Sequence, residues 1–203
     1  MQCNIVTYVQ QAAQRGDDRI KFFYHKDNIV ILLADGAGGF GDGGKAADFF
    51  IEQSYYHITN LQKLNNDILE NILRKIDRDL HDNGHGETTS IIAIINAETI
   101  FGASVGDSHC YLFNKEFVIH ATSLQYRKPL LGSGKITAIS FGPFHIDNKV
   151  VIASDGLFDY TTINNIRETL TYDMENIGQQ LLSLVELPSR KLQDDFSVIV
   201  YKI

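Results

Sequence analysis

Aspartates follow or precede several apolar segments of the sequence, at positions where a fold could bring their carboxylates together. Apolar runs end in one or two small residues and then in Asp35, Asp107 and Asp155, and another run begins directly after Asp194 and Asp195. Gathered carboxylates repel one another unless a positive charge lies among them, and hard cations such as Mg²⁺ and Mn²⁺ take oxygen ligands. A single Asp-Gly pair would more simply indicate a turn. Its repetition at the ends of apolar runs predicts a shared metal site.

The segments next to these aspartates have the patterns of β-strands. Short apolar or β-branched runs predict strands at 20–24, 28–33, 90–95, 99–105, 110–113, 117–120, 149–153 and 196–201. Helical spacing predicts that one helix face carries Leu61, Leu64, Ile68, Ile72, Ile76 and Leu80, and similar spacing recurs over 46–58 and 174–185. Because the helices come in pairs and do not follow each strand, the pattern predicts an α+β sandwich of antiparallel sheets covered by helical layers.

Composition and charge limit the class of protein. The chain has 203 residues, of which 44% are apolar, so we expect one domain over 1–203 with a single substantial core. A formal charge of -7 disfavours binding to nucleic acid or to an anionic membrane, since both need clustered Lys and Arg. Residues 1–11 lack a signal-peptide pattern, and no segment approaches the ~20 apolar residues of a membrane span. Cys3 and Cys110 form no CxxC pair, which is consistent with a reducing compartment, so we expect a cytoplasmic protein.

A series of short motifs follows in a fixed order along nearly the whole chain. They are Arg-Gly-Asp-Asp-Arg at 15–19, Asp-Gly-Ala-Gly-Gly at 35–39, Gly-Glu-Thr-Thr at 86–89, Ala-Ser-Val-Gly-Asp-Ser at 103–108, Ser-Asp-Gly-Leu at 154–157 and Asp-Asp-Phe-Ser-Val at 194–198. This series resembles that of the metal-dependent Ser/Thr protein phosphatases of the 2C type. The resemblance implies a four-layer α-β-β-α sandwich, with two mainly antiparallel sheets flanked by helix pairs. It also implies hydrolysis of phosphoserine and phosphothreonine on proteins, by a compact member whose segment 121–134 leaves little chain for the family's flap.

The resemblance further implies how divalent cations would be held. The matching positions would bind two Mg²⁺ or Mn²⁺ ions and a possible third, and they are Asp35, Gly36, Asp155, Asp194, Asp107 and the early pair Asp17 and Asp18. Asp35 would bridge two ions, the carbonyl of Gly36 would bind one of them, and Asp107 would serve the third. Asp194 fits the ligand position better than Asp195, which stands where the family usually has asparagine. A metal-bound water, and no protein nucleophile, would attack the phosphorus.

Several positions depart from the family pattern. The phosphate-holding arginine of the family corresponds to Ala13, so Arg15 is a displaced candidate for that role. Ala37 and Phe40 stand where members carry histidines, so protonation of the leaving group would fall to water. His109 replaces the arginine that commonly follows Gly-Asp-Ser, and we expect it to have a structural or surface role.

Other functions stay open at this point. The departure at Ala13 favours a catalytically weak or dead phosphatase-like domain that binds phosphoproteins or regulates a partner, whereas the retained carboxylates favour an enzyme. Residues 39–45 fit the P-loop pattern of nucleotide-binding proteins, but Ala46 lacks the hydroxyl that would contact Mg²⁺, and Asp42 would lie inside the phosphate cradle. Residues 107–109 mimic the opening motif of binuclear metallophosphoesterases, whose later motifs are absent. A phosphorylated protein is the expected partner, with the oligomeric state undetermined.

Overall fold

Two antiparallel five-stranded sheets form the centre of the protein, which we describe from a computed structural model for residues 4–12, 16–37 and 42–203. The strands are β1 (Ile5–Gln10), β2 (Arg19–His25), β3 (Asn28–Ala34), β4 (Gly36–Ala37), β5 (Glu87–Thr88), β6 (Ser90–Asn96), β7 (Thr99–Val105), β8 (His109–Phe113), β9 (Val118–His120), β10 (Ile139–His145), β11 (Lys149–Ala153) and β12 (Phe196–Lys202). One sheet has the order β10-β7-β6-β3-β2, and the other has the order β1-β12-β11-β8-β9. The short strands β4 and β5 pair separately.

Helices cover the outer face of each sheet. They are α1 (Gly43–Thr59), α2 (Asn66–Asn83), α3 (Asp155–Phe158), α4 (Ile163–Thr169) and α5 (Met174–Ser183). Apolar side chains of α1 and α2 share a buried cluster with β3, β6 and β7, whereas those of α3, α4 and α5 pack against β11 and β12. The predicted α+β fold, a four-layer α-β-β-α sandwich, is confirmed. Among the described residues, no helix is both long and apolar enough to cross a membrane.

Alternation of side chains explains why the central strands are apolar along their whole length. On β3, Val30 and Leu32 face the helices, while Ile31 and Leu33 face the opposite sheet. Strand β12 divides its residues in the same way, because Ile199 belongs to the core between the sheets. Successive residues of a strand point to opposite faces, so a strand buried on both faces needs a continuous apolar run.

Some sequence expectations about element boundaries were wrong. Helix α2 begins only at Asn66, because the side chain of Asn65 accepts the backbone N–H of Ile68 at 2.9 Å and caps the helix. Leu61 and Leu64 therefore precede the helix, although both still pack against its core. Strands β1 and β10 and helices α3 and α4 were not predicted, because their apolar residues are few or interrupted by polar ones.

Candidate active site

Four of the predicted aspartates meet in one cavity of about 300 Å³. Asp35 follows β3, Asp107 follows β7, Asp155 opens α3 directly after β11, and Asp194 precedes β12. The cavity is lined by Asp35, Gly36, Ala37, Thr89, Asp107, Arg127, Lys128, Leu130, Asp155 and Asp194. Strand ends from both sheets thus bring together carboxylates that lie far apart in sequence.

A further carboxylate lies buried behind this cavity. Asp18 is only 4% exposed, and neither of its carboxylate oxygens has a hydrogen-bond partner. Burial raises the pKa of Asp18 to about 6, although the nearby hydroxyls of Ser197 and Ser154 oppose the rise in part. An unpartnered buried carboxylate costs free energy that a positive charge would remove. Asp18 therefore fits a role as a ligand of a cation.

Electrostatic repulsion among the carboxylates is strongest at Asp35. Burial, followed by the negative charges of Asp18 and Asp155, raises the pKa of Asp35 to about 9. Burial and the charge of Asp194 raise the pKa of Asp155 to about 6. Without a cation, the folded protein therefore favours the protonated form of Asp35, the residue to which the family resemblance assigns a bridging role between two metal ions.

The carboxylates lie near one another but are not arranged as a set of metal ligands. Asp18 and Asp155 lie near enough to Asp35 for their charges to raise its pKa, but the structure shows no group of three or more acidic, histidine or cysteine side chains arranged to hold a metal ion within its described ranges. The burial of these carboxylates and the repulsion among them fit a bound cation.

The backbone of Asp35 is held by Thr88 and Thr89, whose role at the site was not predicted from the sequence. The Thr89 N–H donates to the carbonyl of Asp35 at 2.8 Å, and the Asp35 N–H donates to Thr89 Oγ1 at 2.9 Å. The Thr88 hydroxyl also donates to the Asp35 carbonyl, at 2.9 Å. Thr89 Oγ1 lies 2.7 Å from Ser108 Oγ, which joins this arrangement to the Asp107 segment. The motifs at 86–89 and 103–108 thus position two of the aspartates.

The structure separates the members of each acidic pair. Asp194 lines the cavity, whereas the carboxylate of Asp195 accepts the backbone N–H groups of Ala12 and Asp17, both at 2.8 Å. Asp195 thus fastens the segment that carries Asp18. The side chain of Asp17 lies beside the first turn of α1, where a Cβ on Gly44 would approach its Oδ1. Asp194 thus lines the cavity, and Asp18 is buried near enough to Asp35 to raise its pKa.

Close backbone contacts require glycine after two of the aspartates. A Cβ on Gly36 would overlap the backbone of Gly43, where the strand passes the start of α1. A Cβ on Gly156 would overlap the carbonyl oxygen of Asp195. The Asp-Gly pairs therefore serve packing at the site and are not simple surface turns.

The remaining predicted residues lie in varied places. Arg15 and Phe40 are outside the described residues, as is Ala13. His109 is partly buried and its Nδ1 lies 3.0 Å from Nε2 of His120, which agrees with a structural role. Lys45, the lysine of the P-loop pattern, is exposed and forms an ion pair with Asp42 at 2.7 Å. The antiparallel sheets also differ from the parallel sheet of P-loop folds.

The connection between β9 and β10 contributes the cations of the cavity. Arg127 and Lys128 both line it, and Arg127 Nε lies 2.7 Å from Asp107 Oδ2. The sequence predicts a short connection here in place of the family's flap. No residue spacing indicated that Arg127 would reach Asp107, because the contact depends on how the connection folds back over the sheets.

Solved structures of bacterial phosphatases share this architecture. A variant of a bacterial serine phosphatase has a TM-score of 0.87 at 22% identity, covering 98% of this chain and 97% of that chain. The serine/threonine phosphatase Stp1 from Staphylococcus aureus has a TM-score of 0.86 at 19% identity, covering 100% of this chain and 96% of that chain. The catalytic domain of the serine/threonine protein phosphatase PstP, in complex with two manganese ions, has a TM-score of 0.79 at 16% identity. The match covers 98% of this chain and 96% of that chain.

Comparison by sequence finds no such relationship. No protein-family profile matches the chain, and no curated protein matches it. At these low identities the structural similarity describes the fold and not the chemistry. The chain has the fold of the bacterial serine/threonine phosphatases.

Proposed function

We propose that residues 1–203 form one metal-dependent phosphatase domain that hydrolyses phosphoserine and phosphothreonine esters on proteins. The observation that carries the proposal is the group of carboxylates formed by Asp18, Asp35, Asp155 and Asp194. Their burial and mutual repulsion raise the pKa of Asp35 to about 9, which is the electrostatic condition that bound cations would relieve. The fold that the chain shares with serine/threonine phosphatases supports this chemistry, as does PstP with its two manganese ions.

The residues of the site would have distinct roles. Two Mg²⁺ or Mn²⁺ ions would be held by Asp35, Asp18, Asp155, Asp194 and the carbonyl of Gly36. Asp107 would hold a possible third ion. When bound, such ions supply a water of lowered pKa and neutralise charge on the phosphoryl oxygens. The hydroxyl of Thr89 accepts the backbone N–H of Asp35 and also forms a hydrogen bond with the hydroxyl of Ser108, so the protein holds these segments in fixed positions.

Proton donation to the leaving group would not come from the side chain after the first Asp-Gly pair. Ala37 lines the cavity at the position where other members of the resembled family carry histidine, and it has no proton to give. The serine or threonine oxygen that leaves would take its proton from solvent.

Hydrolysis of p-nitrophenyl phosphate by the metal-free protein, titrated with Mn²⁺, tests the proposal. We expect turnover only with the cation, and a loss of several orders of magnitude in kcat in Asp155→Asn. The matched control is Asp27→Asn, which removes the same charge from an exposed turn. Tight phosphopeptide binding by the Mn²⁺-loaded wild type without any turnover would instead indicate a regulatory, catalytically dead domain.

A further inference from the structure

An acidic cavity that receives a phosphate ester needs cationic side chains as well as metal ions. The phosphoryl group carries negative charge, and the cavity walls present Asp35, Asp107, Asp155 and Asp194. Among the cavity-lining residues within the described ranges, the cations are Arg127 and Lys128. These neighbours in sequence therefore form a local positive patch on an otherwise acidic wall.

Arg127 has the geometry of a residue that can bind an oxyanion. Its Nε lies 2.7 Å from Asp107 Oδ2, which fixes the direction of the guanidinium toward the acidic wall. The side chain remains 74% exposed, so a ligand in the cavity can reach it. A guanidinium has five N–H donors in a planar fork, more than one carboxylate can accept, and this fork matches the oxygens of a phosphoryl group.

The connection that carries Arg127 is fastened on both sides of it. Before it, Gln125 Nε2 donates to the carbonyl of Ser108 at 2.6 Å. After it, Leu131 and Thr88 exchange backbone hydrogen bonds of 2.9 and 3.0 Å. Arg127 is therefore presented to the cavity by a segment bound to the same residues that position Asp35 and Asp107.

A buried carboxylate from α2 strengthens this attachment. Asp77 is 3% exposed, and its Oδ1 accepts the backbone N–H groups of Gly132 at 2.8 Å and Gly134 at 3.1 Å. Such charge-assisted hydrogen bonds in a buried place are strong. The connection is thus held by the core of the protein and is not a loose surface loop.

We propose that Arg127, with Lys128 beside it, binds the phosphoryl oxygens of the substrate and of the phosphate product. This inference rests on the proposed function, and it assigns to the β9–β10 connection the role that an arginine near the N-terminus plays in the resembled family. The Asp107 ion pair holds the guanidinium at the cavity edge, from which its remaining donors reach the phosphoryl group.

Binding of inorganic phosphate to the Mg²⁺-loaded protein, measured by calorimetry, tests the inference without requiring turnover. We expect Arg127→Gln to weaken phosphate affinity by about 10- to 100-fold, as for loss of a charge-assisted hydrogen bond. Arg127→Lys should keep part of the affinity, because it retains the charge but not the fork. Arg78→Gln removes the same charge from the exposed face of α2 and should change nothing.

Arg127 could act by binding phosphate or only by neutralising Asp107. Measuring the Mg²⁺ affinity of each variant distinguishes these two explanations. Removing a cation that competes for Asp107 should leave Mg²⁺ affinity unchanged or raise it, while phosphate affinity falls. Unchanged phosphate affinity in Arg127→Gln would overturn the inference, as would a loss of Mg²⁺ affinity that accounts for all of the change. If the wild type binds phosphate through Arg127 but hydrolyses no ester, the proposed function fails and the binding role stands.

Discussion

Asp35→Asn should stabilise the metal-free protein, although it removes a central residue of the site. Asparagine has nearly the same shape as a protonated aspartic acid, and it is neutral at every pH. In the wild type, burial and the charges of Asp18 and Asp155 raise the pKa of Asp35 to about 9, against 3.8 for an unperturbed carboxyl. The substitution therefore removes a proton-linked cost and little packing.

The sign and size of this effect follow from proton linkage. The pKa of Asp35 is about 3.8 in the unfolded state and about 9 in the folded state. Between about pH 4 and pH 9 the folded state therefore keeps a proton that the unfolded state has released, so stability falls as pH rises. At pH 8 the full effect would cost on the order of 5 kcal/mol. Because the pKa values of Asp18 and Asp155 are also raised, the three carboxyls titrate as an interacting group, and the gain from replacing one of them is smaller than the full effect. We therefore expect a gain of about 2 to 3 kcal/mol for Asp35→Asn at pH 8, and under about 1 kcal/mol at pH 5.

Urea unfolding followed by circular dichroism in EDTA, at pH 5, 6.5 and 8, measures this difference. Asp27→Asn is the control, since it removes one exposed charge and should show no such trend. Adding Mg²⁺ should reverse the order of stability, because cations that bind the folded wild type stabilise it by mass action. A variant that is less stable than wild type at pH 8 in EDTA, or whose advantage is the same at pH 5, would refute this account of Asp35.

Three further substitutions test how the site is held in place. Thr89→Val should lower the free energy of unfolding by about 1 to 3 kcal/mol and reduce kcat, because the Asp35 N–H and the Ser108 hydroxyl lose their hydrogen-bond partner. Urea melts and turnover assays that gave wild-type values for both would contradict this. Asp77→Asn should raise KM for an aryl phosphate more than it lowers kcat, because the β9–β10 connection loosens, and protease cleavage within 121–138 should become faster. Gly156→Ala should lower the melting temperature and the activity together, because its Cβ overlaps the carbonyl oxygen of Asp195; an unchanged melting temperature would show that the two segments can separate freely.

The sequence was sufficient to predict the fold and the cluster of aspartates at strand ends. Strands buried on both faces are continuous apolar runs, and Asp35, Asp107 and Asp155 each follow such a run. Small residues next to them leave room at the end of the sheets. These patterns are local, so they can be recognised in the sequence without knowing how distant segments of the chain pack together.

Contacts between distant segments could not be predicted in this way. Asp77 accepts N–H groups from residues more than fifty positions away, on a connection whose path depends on the packing of α2. Arg127 reaches Asp107 because the two sheets pack together, and Asp195 reaches Ala12 because β1 and β12 pair although they lie at opposite ends of the chain. The start of α2 is a different case, because Asn65 is a favourable N-cap residue and was overlooked in favour of the leucine spacing.

Release of phosphate from a phosphoserine peptide, measured before chelation, after EDTA and after return of Mn²⁺, tests the central claim most directly. The account predicts turnover that vanishes with the cation, recovers with it, and is lost in Asp155→Asn but not in Asp27→Asn. Undiminished phosphate release after exhaustive chelation would contradict the claim that the aspartates act through bound divalent cations.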